Sequence, residues 1–315
     1  MAADYLHKHK QFGDLLNIIG EKMGIAPYLV EKDYWIMNVL YGLKKQKLNF
    51  ELKGGTSLSK GFGIIHRFSE DIDIHITPPV ALNVNETGKK ANAINSRKEF
   101  YDWLNDYIMI DGIVGNHRDT DFDNKKTYTS GGIRLQYKNL TEPISGLKEG
   151  ILLEAGFDNV TPNQLTTISS WAYEHAKESN INIIDNRAIG VACYHPGYTF
   201  VEKLQTITTK FRKEQESGNT AVNFMRQYYD AYSLLENQEV RAFIGTDEYY
   251  AHKEIRFSTA DKAIPIKENQ AFILNDKEVR NSFIQRYKAT AALYYNGQPS
   301  FNELMKRIGN HLDKL

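Results

Sequence analysis

The pattern of hydrophobic and polar positions changes character near residue 196 of the 315-residue chain. Before that point, short apolar or alternating runs, which are typical of strands, lie between longer segments with the three-to-four-residue spacing of helices. From Thr199 onward the spacing is helical almost throughout. The pattern therefore predicts an α+β fold, with strands and helices over residues 1–195 and a helical-bundle domain over residues 196–315.

Individual elements follow from the same periodicities and from the positions of Gly and Pro. Strands are predicted over residues 50–53, 127–138, 150–157 and 181–184, over the segment that carries Asp71 and Asp73, and over the apolar run before His195. Helices are predicted over residues 4–22, 27–43, 94–110 and 163–180, over about ten residues after Ser57, and over residues 199–216, 220–236, 239–246, 270–275, 278–295 and 299–313. Two glycines inside the 127–138 strand, Gly131 and Gly132, predict a bulge.

The run GNHRDTDFDN, residues 115–124, concentrates charged side chains between two predicted elements. A cation-binding loop is conceivable there. The run lacks the glycine and the final glutamate of an EF-hand loop, so we interpret it as a solvated turn.

Two carboxylates lie two positions apart in the stretch LKGGTSLSKGFGIIHRFSEDIDIHI, residues 52–76. In a strand such residues share a face, so Asp71 and Asp73 are expected to point the same way while Ile72 and Ile74 point into the core. Paired carboxylates repel each other unless a cation lies between them, which suits Mg²⁺ bound together with substrate phosphates. His75 shares this face, and we interpret it as structural.

The same stretch begins with features of a phosphate-binding segment. Gly54 and Gly55 allow the backbone to approach a phosphate closely, and Thr56 or Ser57 can cap a helix whose N-terminal amides favour anions. Alone, such a segment is an ordinary turn. Followed by the two carboxylates, it predicts nucleotidyl-transfer chemistry.

A third carboxylate is predicted from the run GILLEAGF, residues 150–157, in which Glu154 interrupts a buried strand. An unpaired buried carboxylate costs several kcal/mol, so it implies a partner such as Lys, Arg or a metal ion. Asp158, at the end of the same strand, is the alternative candidate, and we favour Glu154.

The GG[ST] element followed by Asp-x-Asp resembles the signature of the polymerase-beta-like nucleotidyltransferases, and the resemblance implies a mixed sheet flanked by helices in the first domain. More narrowly, GGTSLSK…HRFSEDIDI is similar to the AbiEii/AbiGii-type toxins of toxin–antitoxin and phage-defence systems. VEKDYW before the stretch also resembles that family, and it raises the possibility that Lys32 reaches the site. The resemblance covers roughly residues 28–235.

The resemblance extends to the helical part of the chain. The family closes its cleft with a Glu-Lys pair on one helix and an Arg/Lys-x-x-x-Asp on the next, here Glu202-Lys203 and Arg226…Asp230. An ion pair on the helix surface is the alternative interpretation for Arg226 and Asp230. The family often has an Arg-Asp pair ahead of the final Asp, whereas this chain has Arg226 followed by Gln227, so a role resting on that extra acid is not expected here.

Several roles follow from the resemblance, as expectations. Asp71, Asp73 and Glu154 would hold Mg²⁺ or Mn²⁺ in a two-metal displacement that moves a nucleoside monophosphate from an NTP to an acceptor hydroxyl. The catalytic set would also include Lys203, which neutralises phosphate charge, and Asp230, which orients Lys203 or the acceptor and pairs with Arg226. The nucleotide-binding set would comprise Gly54, Gly55, Thr56, Ser57, Arg67, Ser69 and Arg226. The acceptor would be RNA, with the tRNA 3′ end as the family's example, and a separately encoded antitoxin would be a partner.

Composition limits the alternatives. Lys plus Arg equals Asp plus Glu at 39 each, so an RNA partner needs a local basic patch. The single Cys193 excludes an internal disulfide and a multi-cysteine zinc site, and it fits a reducing cytosol. No apolar run is long enough to span a bilayer and no signal-peptide core is evident, so we expect a cytoplasmic protein without membrane contact.

Three other functions remain open. A non-catalytic NTP-binding regulator would keep the phosphate segment without turnover, although the intact Asp-x-Asp argues against it. A protein-modifying nucleotidyltransferase would label Tyr, Ser or Thr of a partner. A two-metal nuclease is disfavoured because GG[ST] has no evident role in one.

Overall fold

The computed structural model describes residues 3–144, 146–221 and 223–315 and confirms the α+β fold class. The chain forms two compact units. The first comprises Met1–Phe62 and Phe68–Tyr194, and the second comprises Gly63–Arg67 and His195–Leu315. Each unit has its own core.

A mixed sheet of seven strands, counted over the described residues, is the centre of the first unit. The strands are β1 (Asn49–Lys53), β2 (Asp71–Thr77), β3 (Ile113–Arg118), β4 (Ser130–Tyr137), β5 (Ile151–Gly156), β6 (Asn163–Ile168) and β7 (Ala188–Tyr194). Their order across the sheet is β3-β4-β5-β2-β1-β7-β6. The pairs β2/β5 and β1/β7 are parallel and the other four are antiparallel. The strand with the two aspartates therefore lies in the middle of the sheet.

The helices of the first unit are α1 (Phe12–Met23), α2 (Pro27–Lys45), the short α3 (Gly54–Thr56), α4 (Ala91–Tyr107) and α5 (Trp171–Glu178). Helix α3 continues as a π-helical turn over Ser57–Gly61. Helix α2 begins with Pro27. A backbone N–H at the first position of a helix has no acceptor within the helix, so proline is tolerated there. Fifteen of its nineteen residues are buried, so α2 is a central helix with little solvent-facing surface.

The second unit is helical. Its helices are α6 (Pro196–Ser217), α7 (Met225–Leu234), α8 (Gln238–Phe243), α9 (Asp247–Arg256), α10 (Thr259–Lys262), α11 (Gln270–Ile273), α12 (Lys277–Lys288) and α13 (Phe301–Gly309). An aromatic cluster that includes Tyr228, Phe283 and Phe301 packs α7, α12 and α13 together. In the described part of the chain, no helix combines the length and apolar character needed to cross a membrane.

The predicted helix over residues 163–180 is wrong. Residues Asn163–Ile168 form strand β6, and helix α5 begins only at Trp171. The run NQLTTI contains β-branched residues that fit a pleated sheet, and it pairs with β7. Ser170 then caps α5 by accepting a hydrogen bond from the Tyr173 N–H, which sets the start of the helix.

Two predictions around strands β3 and β4 are also wrong. The run interpreted as a solvated turn contributes its first residues to β3, and the Gly131–Gly132 segment pairs regularly with β5 without a bulge. Glycine is required at these two positions for a different reason. A Cβ on Gly131 would collide with the ring of Tyr101, and one on Gly132 with the Asp119 carbonyl oxygen. Close packing against the strand therefore excludes side chains here.

The remaining differences concern element boundaries and a few short elements. The predicted helix over 4–22 is a short turn, Leu6–Lys8, followed by α1, and the predicted strand over 181–184 contributes one isolated bridge at Ile183. Helix α6 begins at Pro196, where the ring of His195 accepts a hydrogen bond from the Gly197 N–H. Helix α9 was not predicted. The predicted helix over 220–236 includes residue 222, which lies outside the described residues.

Candidate functional site

Three carboxylates lie side by side on neighbouring strands of the first unit. Asp71 and Asp73 are partly exposed while Ile72 between them is buried, so the alternation places both acids on one face of β2. Asp73 lies directly opposite Glu154 in the parallel pairing of β2 and β5. Residues paired in this way share a face of the sheet. Two strands therefore bring the three acids together.

The protonation of these acids reflects their crowding. Burial raises the pKa of Asp71 to about 7, with further increases from the charges of Glu70 and Asp73. Burial likewise raises the pKa of Glu154 to about 8, assisted by the charges of Asp73 and Asp71. Shifts of this direction are expected where like charges converge with too little cation between them. The site therefore favours bound protons or a bound cation.

Residues 54–57, called the glycine segment here, lie beside the strand that carries Asp71 and Asp73. Gly54 adopts a left-handed φ of 71°, and a Cβ at this position would overlap the carboxylate of Asp73. Thr56 donates a hydrogen bond from its hydroxyl to the Asp71 carbonyl oxygen at 2.5 Å. This hydrogen bond joins α3 to the start of β2. Glycine is required at position 54 for conformation and for space.

The prediction that Thr56 or Ser57 caps the helix is wrong. Helix α3 begins at Gly54 with Lys53 at the N-cap, and no side chain caps it. Thr56 and Ser57 are fully buried inside the helical segment. The Ser57 hydroxyl lies beside the thiol of Cys193, whose pKa is raised by burial. Gly55 is buried with them, and Gly54 at the start of the segment is half-buried.

Further charged groups surround the carboxylates, and the sequence alone did not single them out. Lys53 on β1 lies opposite Asp73, and its charge acts on Glu154. Arg134 on β4 lies opposite Leu152 and acts on Asp71. The signal for Arg134 was available, since it is a charge inside an apolar strand, as Glu154 is. Register across the sheet, which the sequence does not specify, was needed to place it.

Other residues of the stretch have local partners. The ring of His75 is hydrogen-bonded to Glu51 at 2.5 Å. Ser69 is half-buried just before β2. Asp158, the alternative third acid, is exposed and forms an ion pair with Lys53 at 3.7 Å. Glu154, in contrast, is directly paired with Asp73 in the sheet.

A second charged cluster lies within the second unit. The carboxylate of Asp230 is fully buried and binds Arg67 through two hydrogen bonds of 2.6 and 2.7 Å. Lys203 lies 2.9 Å from the same carboxylate and also donates to the Gln227 side chain. Burial acts to raise the pKa of Asp230, but Arg67 and Lys203 outweigh burial and hold the pKa below its ordinary value.

The cluster brings together three of the predicted site residues, Asp230, Lys203 and Arg67. The contact between Asp230 and Lys203 is present, and the guanidinium that binds Asp230 so closely is that of Arg67. Arg226 is half-buried on α7, and its charge acts on Lys210 of α6. Arg67 was expected at the nucleotide, and in the structure its guanidinium donates these two hydrogen bonds to Asp230.

The carboxylates of the first unit fit a hard divalent cation in chemical type. Mg²⁺ and Mn²⁺ prefer oxygen ligands, and acids with raised pKa values are the donors that a cation would relieve. Among the residues that the structure describes, no three His, Cys, Asp or Glu side chains are spaced as ligands of an ion. Asp71, Asp73 and Glu154 are therefore a donor set and not a closed coordination sphere.

Comparisons with known proteins address the family. A family model described as "Nucleotidyl transferase AbiEii toxin, Type IV TA system" matches residues 38–307. A crystal structure of an antigenic nucleotidyltransferase-like protein from Paracoccidioides brasiliensis is similar at 12% identity and a TM-score of 0.33, over 75% of this chain and 97% of that one. Among curated protein sequences, none matches. Because the family match covers most of its length, the chain belongs to the AbiEii family of toxin–antitoxin nucleotidyltransferases.

Proposed function

We propose that this nucleotidyltransferase moves a nucleoside monophosphate from an NTP to a hydroxyl of RNA, with a divalent metal ion at its carboxylates. The tRNA 3′ end is the first acceptor to test. The toxin would act in the cytoplasm, be relieved by a separately encoded antitoxin, and contribute to phage defence. The observation that carries the chemistry is the placement of Asp71 and Asp73 on one face of β2, with Glu154 opposite Asp73 on β5.

The reaction needs one bond formed and one broken. The acceptor hydroxyl oxygen attacks the α-phosphorus of the NTP, the bond to the β-phosphate oxygen breaks, and pyrophosphate leaves. We assign the hydroxyl proton to the carboxylate of Glu154. Glu154 is half-buried and lies opposite Asp73 on the neighbouring strand, where a carboxylate oxygen can accept that proton beside the metal ion. A bound Mg²⁺ or Mn²⁺ would supply charge neutralisation for the phosphates.

Asp71 and Asp73 would hold the metal ion through their oxygens, on a strand that the buried Ile72 and Ile74 fix in the sheet. The backbone of Gly54 and its successors would approach the phosphates. In this proposal the N–H groups at the start of α3, where Gly54 is half-buried, provide the anion contacts.

The remaining predicted residues keep their proposed roles. Lys203 would neutralise charge on the departing pyrophosphate and Asp230 would orient Lys203, which its 2.9 Å contact supports. Arg67, Ser69 and Arg226 stay proposed nucleotide contacts. The pairing of Arg67 with Asp230 gives Arg67 a structural duty as well.

The proposal is tested with each of the four α-³²P-labelled NTPs, Mg²⁺ and total cellular RNA. We expect label from a preferred NTP to enter RNA, and EDTA to abolish transfer. Label in protein instead of RNA would refute the RNA acceptor and support a protein-modifying enzyme. NTP binding without any transfer would refute catalysis and support a regulator. In cells, Lys203→Met is expected to relieve growth arrest, and arrest that persists would exclude Lys203 from the machinery.

A further inference from the structure

Three consecutive charged residues of helix α2 are buried, and each binds a different segment of the first unit. Glu31 accepts a hydrogen bond from the Leu140 N–H. Asp33 forms an ion pair of 2.6 Å with Lys60, which lies in the π-helical turn after α3. Lys32, between them, is fully buried. Burying a charge is costly unless it is paired, so the contacts of α2 at this point are specific.

The Lys32 ammonium joins two segments that are far apart in the sequence. It donates a hydrogen bond to the carbonyl oxygen of Lys148 at 2.6 Å. It also lies 3.7 Å from the carboxylate of Glu70, which is 7% exposed. Tyr28, one helical turn earlier, donates a second hydrogen bond to the Lys148 carbonyl at 3.3 Å. Both contacts of Lys32 are therefore made away from bulk water, where they are strongest.

The two segments lead directly into the carboxylate strands. Glu70 immediately precedes β2, and Lys148 lies three residues before β5. These strands are parallel neighbours, with Asp73 opposite Glu154. A displacement at either entry would move one carboxylate relative to the others.

We propose that Lys32 is a positioning residue, which binds the entry of β2 to the entry of β5 and thereby fixes the spacing of the carboxylates on those two strands. Its catalytic consequence rests on the proposed nucleotidyl transfer. The clamp itself is a property of the first unit. Its charge also acts on Asp71, opposing the increase that burial causes in the pKa of that acid.

A double variant isolates the clamp from the cost of an unpaired charge. Lys32→Met alone would leave the buried Glu70 carboxylate without this ammonium group, and loss of folding would then obscure the result. The comparison is therefore between Glu70→Gln, whose side-chain amide oxygen can still accept from the Lys32 ammonium and which retains the Lys32–Lys148 hydrogen bond, and Lys32→Met/Glu70→Gln, which lacks both contacts. Lys44→Met is the matched control, because Lys44 also lies on α2 and donates to a carbonyl, that of Gly190, at an exposed position.

Hydrogen–deuterium exchange of the full chain tests whether Lys32 holds the two strand entries together, and it does not depend on enzymatic activity. We expect faster exchange in peptides that cover residues 68–76 and 148–156 in the double variant than in Glu70→Gln. Exchange in those peptides should be unchanged in Lys44→Met. Equal exchange in the double variant and in Glu70→Gln would overturn the clamp.

Steady-state transfer on the same proteins reads the catalytic consequence. Because small displacements of reacting groups are costly, we expect kcat in the double variant to fall about 100-fold relative to Glu70→Gln, with KM for the NTP changed less than about threefold. Equal kcat values in these two variants would overturn the catalytic part. If the wild-type protein transfers no nucleotide, the proposed function fails, and the exchange comparison still decides the clamp.

Discussion

Replacing Glu154 by Gln should stabilise the metal-free protein while it abolishes transfer. The pKa of the Glu154 carboxyl group is raised from an ordinary value of 4.5 to about 8, because burial and the charges of Asp73 and Asp71 oppose its ionisation. Gln has nearly the same shape and carries no charge. The substitution therefore removes a repulsion that the fold tolerates for the sake of its chemistry.

The magnitude follows from linkage. The difference between the ordinary pKa of 4.5 and the raised pKa of about 8 corresponds to about 1.4 kcal/mol for each tenfold change in proton affinity, which sets an upper limit of about 5 kcal/mol for the cost of ionising Glu154 in the folded protein. Glu154 is only half-buried, so water and salt screen the repulsion, and we expect a gain of about 1–2 kcal/mol. For a unit of this size, each kcal/mol corresponds to about 2–4 °C in the midpoint of thermal unfolding.

The gain must depend on pH with a definite sign. A carboxyl group with a raised folded-state pKa binds its proton more tightly in the folded protein than in the unfolded chain. The wild-type protein therefore loses stability as the pH rises from about 4.5 to about 8, and the full cost is present above pH 8. The Glu154→Gln protein would lack this slope, so the variant and the wild type should be similar at pH 5 and differ most at pH 8.5.

The assay is thermal and urea unfolding in EDTA at pH 5, 6.5, 8 and 8.5. Asp158→Asn is the matched control, because Asp158 is exposed just after the end of β5 and its ion pair with Lys53 is loose, at 3.7 Å. We expect that control to change stability by less than about 0.5 kcal/mol. Mg²⁺ should stabilise the wild type and have less effect on Glu154→Gln. Destabilisation by Glu154→Gln at every pH, or a gain of equal size at pH 5 and 8.5, would refute the reasoning.

Three further predictions concern single residues. Asp230→Asn removes the carboxylate that Arg67 and Lys203 share, takes a buried negative charge away from two buried cations, and should cost about 3–5 kcal/mol in denaturant unfolding. A cost below about 1 kcal/mol would contradict the buried pairing. Lys203→Met keeps the Arg67–Asp230 pair and should cost less in the same assay, so it is the cleaner variant for testing transfer. Gly54→Ala should destabilise by about 1–2 kcal/mol from its positive φ and additionally abolish transfer, because its Cβ meets the Asp73 carboxylate. The control Gly24→Ala has a similar φ of 66° and open space, so it should lose stability and keep activity.

Local patterns were enough to predict where the acids of the sheet lie. The alternation in DIDIHI places Asp71 and Asp73 on one face because the period of a strand is two residues. The energetic cost of an isolated acid in an apolar strand identified Glu154 in the same way. Both inferences need only the immediate neighbours of each residue.

Contacts between distant segments could not be predicted in that way. The parallel pairing of β2 with β5 joins strands separated by about 75 residues, and no local signal specifies it. The partners of Lys32 belong to the same class, since Glu70 and Lys148 are distant in sequence. At β6 the apolar spacing was compatible with a helix, and pairing with β7 decided the outcome.

The most direct test of the central claim is transfer from a labelled NTP by Asp73→Asn, measured beside Asp158→Asn and the wild type. Circular dichroism and unfolding midpoints would verify that all three proteins are folded. The account predicts that Asp73→Asn loses transfer by at least about 1000-fold, as expected when a charge-stabilising group is removed from a reacting centre, and that Asp158→Asn stays within about threefold of wild type. Transfer by folded Asp73→Asn at the wild-type rate would contradict it.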